Sequence, residues 1–256
     1  MNNNAVNVMI LAGGQGTRLK TMVSDRQKAV ASVNGRPFIL FLLEQLRKIE
    51  INKLIICTGH LQETVRKELE RCPIPFNLVF SPEQTPLGTG GAIRNALPLT
   101  ETEHVLVMNG DSFIDCDLNA FCSSGRIGNR PAQMLLAAVE DVSRFGRVEL
   151  DEQNLVTAFA EKDSGGAGHI NAGVYLFKST VIRRIPENIP YSLEKQFFPR
   201  LVAARELYGY PCRGRFIDIG TPESYAGAEN FLENFSGEGE GEVFANKRND
   251  QSVSAI

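Results

Sequence analysis

Several stretches of this 256-residue chain put glycine and charge together where phosphate chemistry could be done. The first is Ala12-Gly13-Gly14-Gln15-Gly16-Thr17-Arg18, directly after the apolar run Val6–Leu11. Glycines at the C-terminal end of a buried strand let backbone N–H groups approach phosphate oxygens, and an arginine adds a charge-assisted fork. Two familiar phosphate loops are excluded. There is no Gly-Lys-Ser/Thr ending of a Walker A loop, and Leu19 stands where a dinucleotide fingerprint needs its third glycine. A second glycine stretch, Leu87-Gly88-Thr89-Gly90-Gly91-Ala92, precedes a helical pattern. On its own it reads equally as a loop with Thr89 as helix N-cap. Asn109-Gly110-Asp111 closes another apolar strand. A carboxylate there faces the ligand crevice and could help phosphates hold Mg²⁺, or it could be an ordinary turn aspartate. Asp218 lies between Ile217 and Ile219 in a strand-like run, where burial without a partner would be costly.

The strands and helices that carry these residues alternate. Strands are expected at Val6–Leu11, Lys53–Cys57, Phe76–Phe80 and His104–Met108. Between them lie helices opened by Pro37 and running through Phe38, Leu42, Leu46 and Ile49, then over Leu61–Arg71 and Thr89–Leu97. Such alternation predicts an α/β fold: a Rossmann-like, mainly parallel sheet flanked by helices. After about Pro131 the strands Met134–Val139, Arg147–Leu150, Leu155–Ala160, Asn171–Phe177 and Arg215–Ile219 follow one another more closely, which predicts a mixed sheet, and Pro222–Phe235 reads as a closing helix. One domain over residues 1–235 is expected, with halves of about 1–130 and 131–235. The Gly/Glu/Asn/Ser-rich segment 236–256 cannot build a core and reads as a flexible polar tail.

Hydrophobic residues make up 43% and charged residues 22%, which excludes a disordered or fibrous chain. A net charge of −3 argues against broad nucleic-acid binding. No apolar run is long enough to span a membrane, and the start Met1-Asn2-Asn3-Asn4 lacks a signal peptide's basic region, so a cytoplasmic location is expected. Five cysteines without C-x-x-C spacing and three scattered histidines suggest neither a disulfide framework nor a zinc site.

Taken in order, the motifs resemble the sugar-1-phosphate nucleotidyltransferases. Leu11–Leu19 resembles their signature loop, and Lys28 matches the lysine of a following Pro-Lys pair whose proline is Gln27 here. Phe145-Gly146, Glu161-Lys162 and Asn171-Ala172-Gly173 resemble three sugar-side motifs of the family, and the resemblance spans about Val6 to Leu232. It implies the nucleotide-diphospho-sugar transferase fold and a reaction of nucleoside triphosphate with sugar 1-phosphate, releasing pyrophosphate. It also implies Mg²⁺ on Asp111 and Asp218, which join Arg18 and Lys28 as the catalytic set. Nucleotide contacts would come from Leu11, Ala12, Gly13, Gly14, Gly16, Thr17, Gly88, Thr89 and Gly110. Sugar-phosphate contacts would come from Gly146, Glu161, Lys162 and Asn171. The second glycine loop passes along the nucleobase in this family. Many members carry a glutamine just ahead of it; here Pro86 precedes Leu87 and Gln84 lies further off, so the base stays open. The stretch Pro86–Ile93 and the ending Asp218–Glu223 resemble the D-glycero-α-D-manno-heptose 1-phosphate guanylyltransferases, which implies GTP and that heptose. The alternatives are mannose 1-phosphate with GTP, transfer from UTP, dTTP or CTP, and a non-catalytic sugar-nucleotide binder. Homo-oligomers are common in the family, and no membrane or nucleic-acid partner is implied.

Overall fold

The computed structural model describes residues 5–14, 28–59, 62–160, 165–233 and 235. The expectations for Gly16, Thr17, Arg18, Gln27, Glu161, Lys162 and the segment 236–256 fall outside the described residues.

The apolar run Val6–Leu11 forms β1. Val6, Val8 and Ile10 face one hydrophobic cluster and Met9 the other, which is why the strand reads as continuously apolar. A 3₁₀ turn at Lys28–Val30 leads into a hairpin of β2 (Ser32–Val33) and β3 (Arg36–Pro37). Pro37 was expected at the first helical position. It is the N-cap instead, because its ψ of 132° is still extended, and α1 runs Phe38–Gln45 before tightening into a 3₁₀ turn at Leu46–Lys48. The alternation then continues through β4 (Ile51–Thr58), α2 (Gln62–Glu70), β5 (Leu78–Pro82), α3 (Gly88–Ala96) and β6 (His104–Asn109). β5 starts later than the apolar pattern at Phe76 suggested, since its ladder to β4 begins at Leu54 opposite Leu78.

Past Asn109 come β7 (Ser112–Ile114) and α4 (Leu118–Ile127), the latter capped by the Asp117 carboxylate. β8 (Ala132–Val139) precedes a two-stranded ribbon of β9 (Val148–Leu150) and β10 (Val156–Phe159), and then the long β11 (Gly168–Lys178). A single turn, α5 (Ser179–Ile182), and a π-helical turn at Leu193–Phe197 lead to α6 (Phe198–Ala203). The chain closes with β12 (Leu207–Cys212), β13 (Phe216–Asp218) and α7 (Pro222–Leu232). Periodicity alone does not mark β7, α4, α5, α6 or β12.

The main sheet has seven strands in the order β12-β8-β11-β6-β1-β4-β5. β1 pairs in parallel with β4 and β6, while β11 is antiparallel to both its neighbours, which gives the mixed, mainly parallel sheet expected. Residues of α1, α2, α4 and α7 pack in one core cluster and those of α3, α5 and α6 in the other, so helices cover both faces. The chain steps outward from β1 through β4 to β5, then returns to β1's other side as β6. Connections leave β1 and β6 in opposite directions, and a crevice opens beyond their C-terminal ends. There β7 and β13 pair antiparallel as a separate ribbon. Among the described residues no helix is long and apolar enough to cross a membrane.

Candidate active site

The switch point between β1 and β6 holds a cleft of about 350 Å³. Leu11, Ala12, Gly13 and Gly14 form one edge, and Asn109, Gly110 and Asp111 form another. Lys28, Ala29, Glu83, Pro86, Gly88, Thr89 and Ala92 complete the walls. The nucleotide-contact residues expected from sequence therefore converge wherever they are described. Gly110 makes that convergence sterically feasible. Its N–H donates to Leu11 O at 3.0 Å, and a Cβ there would stand 2.6 Å from that oxygen.

The two candidate metal carboxylates come from distant parts of the chain: Asp111 walls the cleft and immediately precedes β7, and Asp218 ends β13 beside it without itself lining the cleft. Asp218 lies opposite Ser112, and Ile219 N–H donates to Asp111 O at 2.8 Å. Lys28 Nζ is 3.6 Å from Asp111 Oδ2 and donates to Gly220 O at 3.4 Å. Gly220 N–H in turn donates to Asp218 Oδ1 at 2.8 Å, and a Cβ on Gly220 would come within 2.7 Å of that oxygen. Arg144 Nη2 lies 3.5 Å from Asp218 Oδ2. The Asp111 side chain is 39% exposed, and the protein packed around the rest of it partly desolvates the carboxylate. That desolvation raises its pKa; Lys28 pulls it down and the like charge of Asp218 pushes it further up. Two neighbouring carboxylates with incomplete compensation fit a hard divalent cation, which takes oxygen ligands from one or two carboxylates and from substrate phosphates. Among the described residues no group of three or more His, Cys, Asp or Glu side chains adds further protein ligands.

Glu83, which belongs to none of the sequence motifs, walls the cleft. Its Oε2 accepts from Leu87 N–H at 2.8 Å, and burial raises its pKa despite that bond. An isolated acid in a loop carries no sequence pattern that would have singled it out, and the same holds for Arg144. Thr89 is not an N-cap; Leu87 occupies that position. Its Oγ1 donates to Glu194 Oε2 at 3.0 Å and accepts from Leu193 N–H at 2.8 Å, so the hydroxyl is engaged in tying α3 to the π-helical turn. Gly90 and Gly91 N–H groups both donate to Tyr191 O, at 2.8 and 3.1 Å.

Gly146 and Asn171 are not among the residues walling the cleft. Gly146 ends an anchored loop, with its N–H on Val142 O at 2.9 Å. Asn171 sits where the β11–β8 register breaks. Its Nδ2 donates to the buried Tyr175 hydroxyl and its Oδ1 accepts from Gly173 N–H, both at 2.9 Å. That leaves the amide one N–H and one lone pair for a ligand.

Comparison with known proteins places this geometry among relatives. A family model described as nucleotidyl transferase matches residues 7–234. A D-glycero-alpha-D-manno-heptose 1-phosphate guanylyltransferase from Campylobacter jejuni is 33% identical over 220 residues, covering 85% of this chain and 96% of its own. A mannose-1-phosphate guanylyltransferase from Mycobacterium tuberculosis is 32% identical over 229 residues, covering 88% of this chain and 64% of its own. The crystal structure of HddC from Yersinia pseudotuberculosis complexed with GMP-PN superposes with a TM-score of 0.79 at 32% identity, covering 89% of this chain and 99% of that one.

Proposed function

The chain belongs to the nucleotidyl transferase family, and we propose that its reaction joins GTP to D-glycero-α-D-manno-heptose 1-phosphate, giving the GDP-sugar and pyrophosphate. The observation that carries this reading is that Asp111, in the wall of a glycine-edged cleft, is brought beside Asp218 by the β7–β13 ribbon, whose register sets Asp218 opposite Ser112. The N-terminal half supplies the triphosphate site and the half from about residue 131 supplies the sugar side.

A phosphate oxygen of the sugar 1-phosphate attacks the α-phosphorus, a new P–O bond forms, and the bond to the β-phosphate oxygen breaks as pyrophosphate leaves. The attacking monoester is already mostly dianionic at neutral pH, with a second pKa near ~6, so no general base is needed. The protein's task is to position two anions and neutralise their charge. Backbone amides of the loop from Leu11 to Gly14, continuing through Gly16 and Thr17, hold the triphosphate, and Arg18 receives the leaving pyrophosphate. Lys28, already within reach of Asp111, stands by the α-phosphate. Gly88, Thr89 and Gly110 bound the nucleotide, Thr89 through its backbone because its hydroxyl is engaged elsewhere. Gly146, Glu161, Lys162 and Asn171 hold the sugar phosphate. Asp111 and Asp218 would hold Mg²⁺, whose contribution is to offset phosphate charge as the leaving group departs. All five cysteines are free thiols, which suits work in the reducing cytoplasm.

Mannose 1-phosphate is the second reading, favoured by the mannose-specific relative at 32% identity. Pyrophosphate release with Mg²⁺, crossing GTP, ATP, UTP, CTP and dTTP with heptose, mannose and glucose 1-phosphates, tests both. Turnover of GTP with the manno-heptose supports the proposal. Turnover of another pair replaces the substrates but keeps the chemistry. Binding of a GDP-sugar with no pyrophosphate from any pair would overturn the enzymatic reading.

A further inference from the structure

The loop at residues 141–146 delivers a second cation, Arg144, to the active-site carboxylates. Arg144 Nη2 lies 3.5 Å from Asp218 Oδ2, while Lys28 Nζ lies 3.6 Å from Asp111 Oδ2. Each of the two carboxylates thus has a cation of its own, one from each half of the chain. The root of Arg144 is firmly held. Val142 is fully buried and its N–H donates to Gly166 O at 3.1 Å. Ser143 is tied to Asp141 through its N–H and its hydroxyl, at 3.0 and 2.8 Å. The Phe145 ring meets Phe216 edge-on at 5.6 Å, two residues before Asp218. The head of Arg144 is different: its guanidinium lies over the Phe145 ring at 5.1 Å, and 53% of the side chain is exposed. A fixed root with an exposed head suits an arginine that exchanges partners. Glu223 also lies in its field.

A half-exposed ion pair of this kind adds little to stability, so its place needs another reason. A guanidinium is a planar fork matched to phosphate oxygens. In displacement at phosphorus the attacking and leaving groups lie roughly in line on opposite sides. Lys28 and the glycine edge belong to the half that takes the triphosphate, and Arg144 belongs to the half that takes the sugar, so Arg144 is placed to meet the attacking phosphate. We infer that Arg144 is a binding residue for the phosphate of the sugar 1-phosphate, and that it gives up Asp218 for that phosphate when a divalent cation takes the Asp218 carboxylate. The inference rests on the nucleotidyl transfer reading above and adds to it a residue for the attacking substrate. It also makes Arg144 and the cation competitors for one carboxylate, so removing the arginine has effects of opposite sign on metal and on sugar phosphate.

The test uses the full chain carrying Arg144→Met, which keeps the apolar stem, and Arg144→Lys, which keeps the charge. Melting temperatures confirm that both are folded. Arg144→Met is expected to raise KM for the sugar 1-phosphate about tenfold or more, the scale of a lost bond to a charged group, with KM for GTP within about twofold of wild type. The same variant is expected to bind Mn²⁺ alone a few-fold more tightly, read by electron paramagnetic resonance without nucleotide. Arg144→Lys should recover part of the sugar-phosphate KM. A KM increase confined to GTP, or equal for both substrates, overturns the inference, as does weakened or unchanged Mn²⁺ binding. If wild type turns over no pair at all, the transferase reading fails separately. The Mn²⁺ measurement then decides by itself whether Arg144 guards Asp218.

Discussion

Asp111 faces one cation and one like charge, and both set its affinity for a metal. Burial raises its pKa, Lys28 lowers it and Asp218 raises it again. Protons compete with a divalent cation for this carboxylate. Mn²⁺ affinity should therefore be full above the raised pKa and lost as pH falls through it, at higher pH than for an exposed aspartate. A titration of Mn²⁺ binding over about pH 4 to 8 checks this, and a midpoint in the ordinary aspartate range would contradict it. Asp111→Asn is expected to cut kcat by about 10²–10³-fold, by analogy with loss of one preorganised charge contact, while the melting temperature holds. Gly220→Ala is the subtler probe. Its Cβ would crowd Asp218 Oδ1 at 2.7 Å, so Mn²⁺ affinity and turnover should both fall. Gly227, exposed on α7 with nothing within 4 Å of a Cβ, is the control: alanine there should leave activity intact and stabilise by roughly 0.5–1 kcal/mol. Asp111 and Asp218 stand out in the sequence because each ends or interrupts an apolar run. Glu83 and Arg144 do not, because a single charged residue in a loop reads as solvated until its neighbours are known.

Two local assemblies hold the cleft in shape. The first is the strap of residues 191–194 across the start of α3, where Thr89 Oγ1, Gly90 N–H and Gly91 N–H make four bonds to Tyr191, Leu193 and Glu194. Thr89→Val keeps the shape of the side chain and removes its two bonds. It should cost about 1–2 kcal/mol and raise KM for the nucleotide, readable by thermal melting and steady-state kinetics. The second is the β7–β13 ribbon, pinned from below by Phe113. That ring is 1% exposed and meets Phe231 and Phe235 edge-on at 6.2 and 4.6 Å. β13 is legible from its alternation, but β7 is only three residues long, too short for any period to register. The glycine stretch was legible as a loop before a helix. That its threonine serves the strap and not the helix cap was not, since its partners lie more than a hundred residues further along.

The whole body depends on the sheet and on α7 closing over the ribbon. A chain ending at Ser236 should keep both its melting temperature and its turnover, because the Gly/Glu-rich segment beyond has no apolar pattern to pack. A chain ending at Asn230 loses the rings of Phe231 and Phe235 from Phe113 and should melt several degrees lower with weakened metal binding. Equal behaviour of the two truncations would refute the part given to α7. The alternation of strands and helices, the glycine loops at strand ends and the family are all legible in the order of residues alone. Those features are written locally, in a residue's own backbone freedom and in the spacing of near neighbours. Which charges meet is set by the fold. Lys28, Asp111, Arg144 and Asp218 come together through the register of β13 on β7 and the anchoring of the 141–146 loop. The free energy of such contacts belongs to pairs of distant segments, and it leaves no periodic trace in either one.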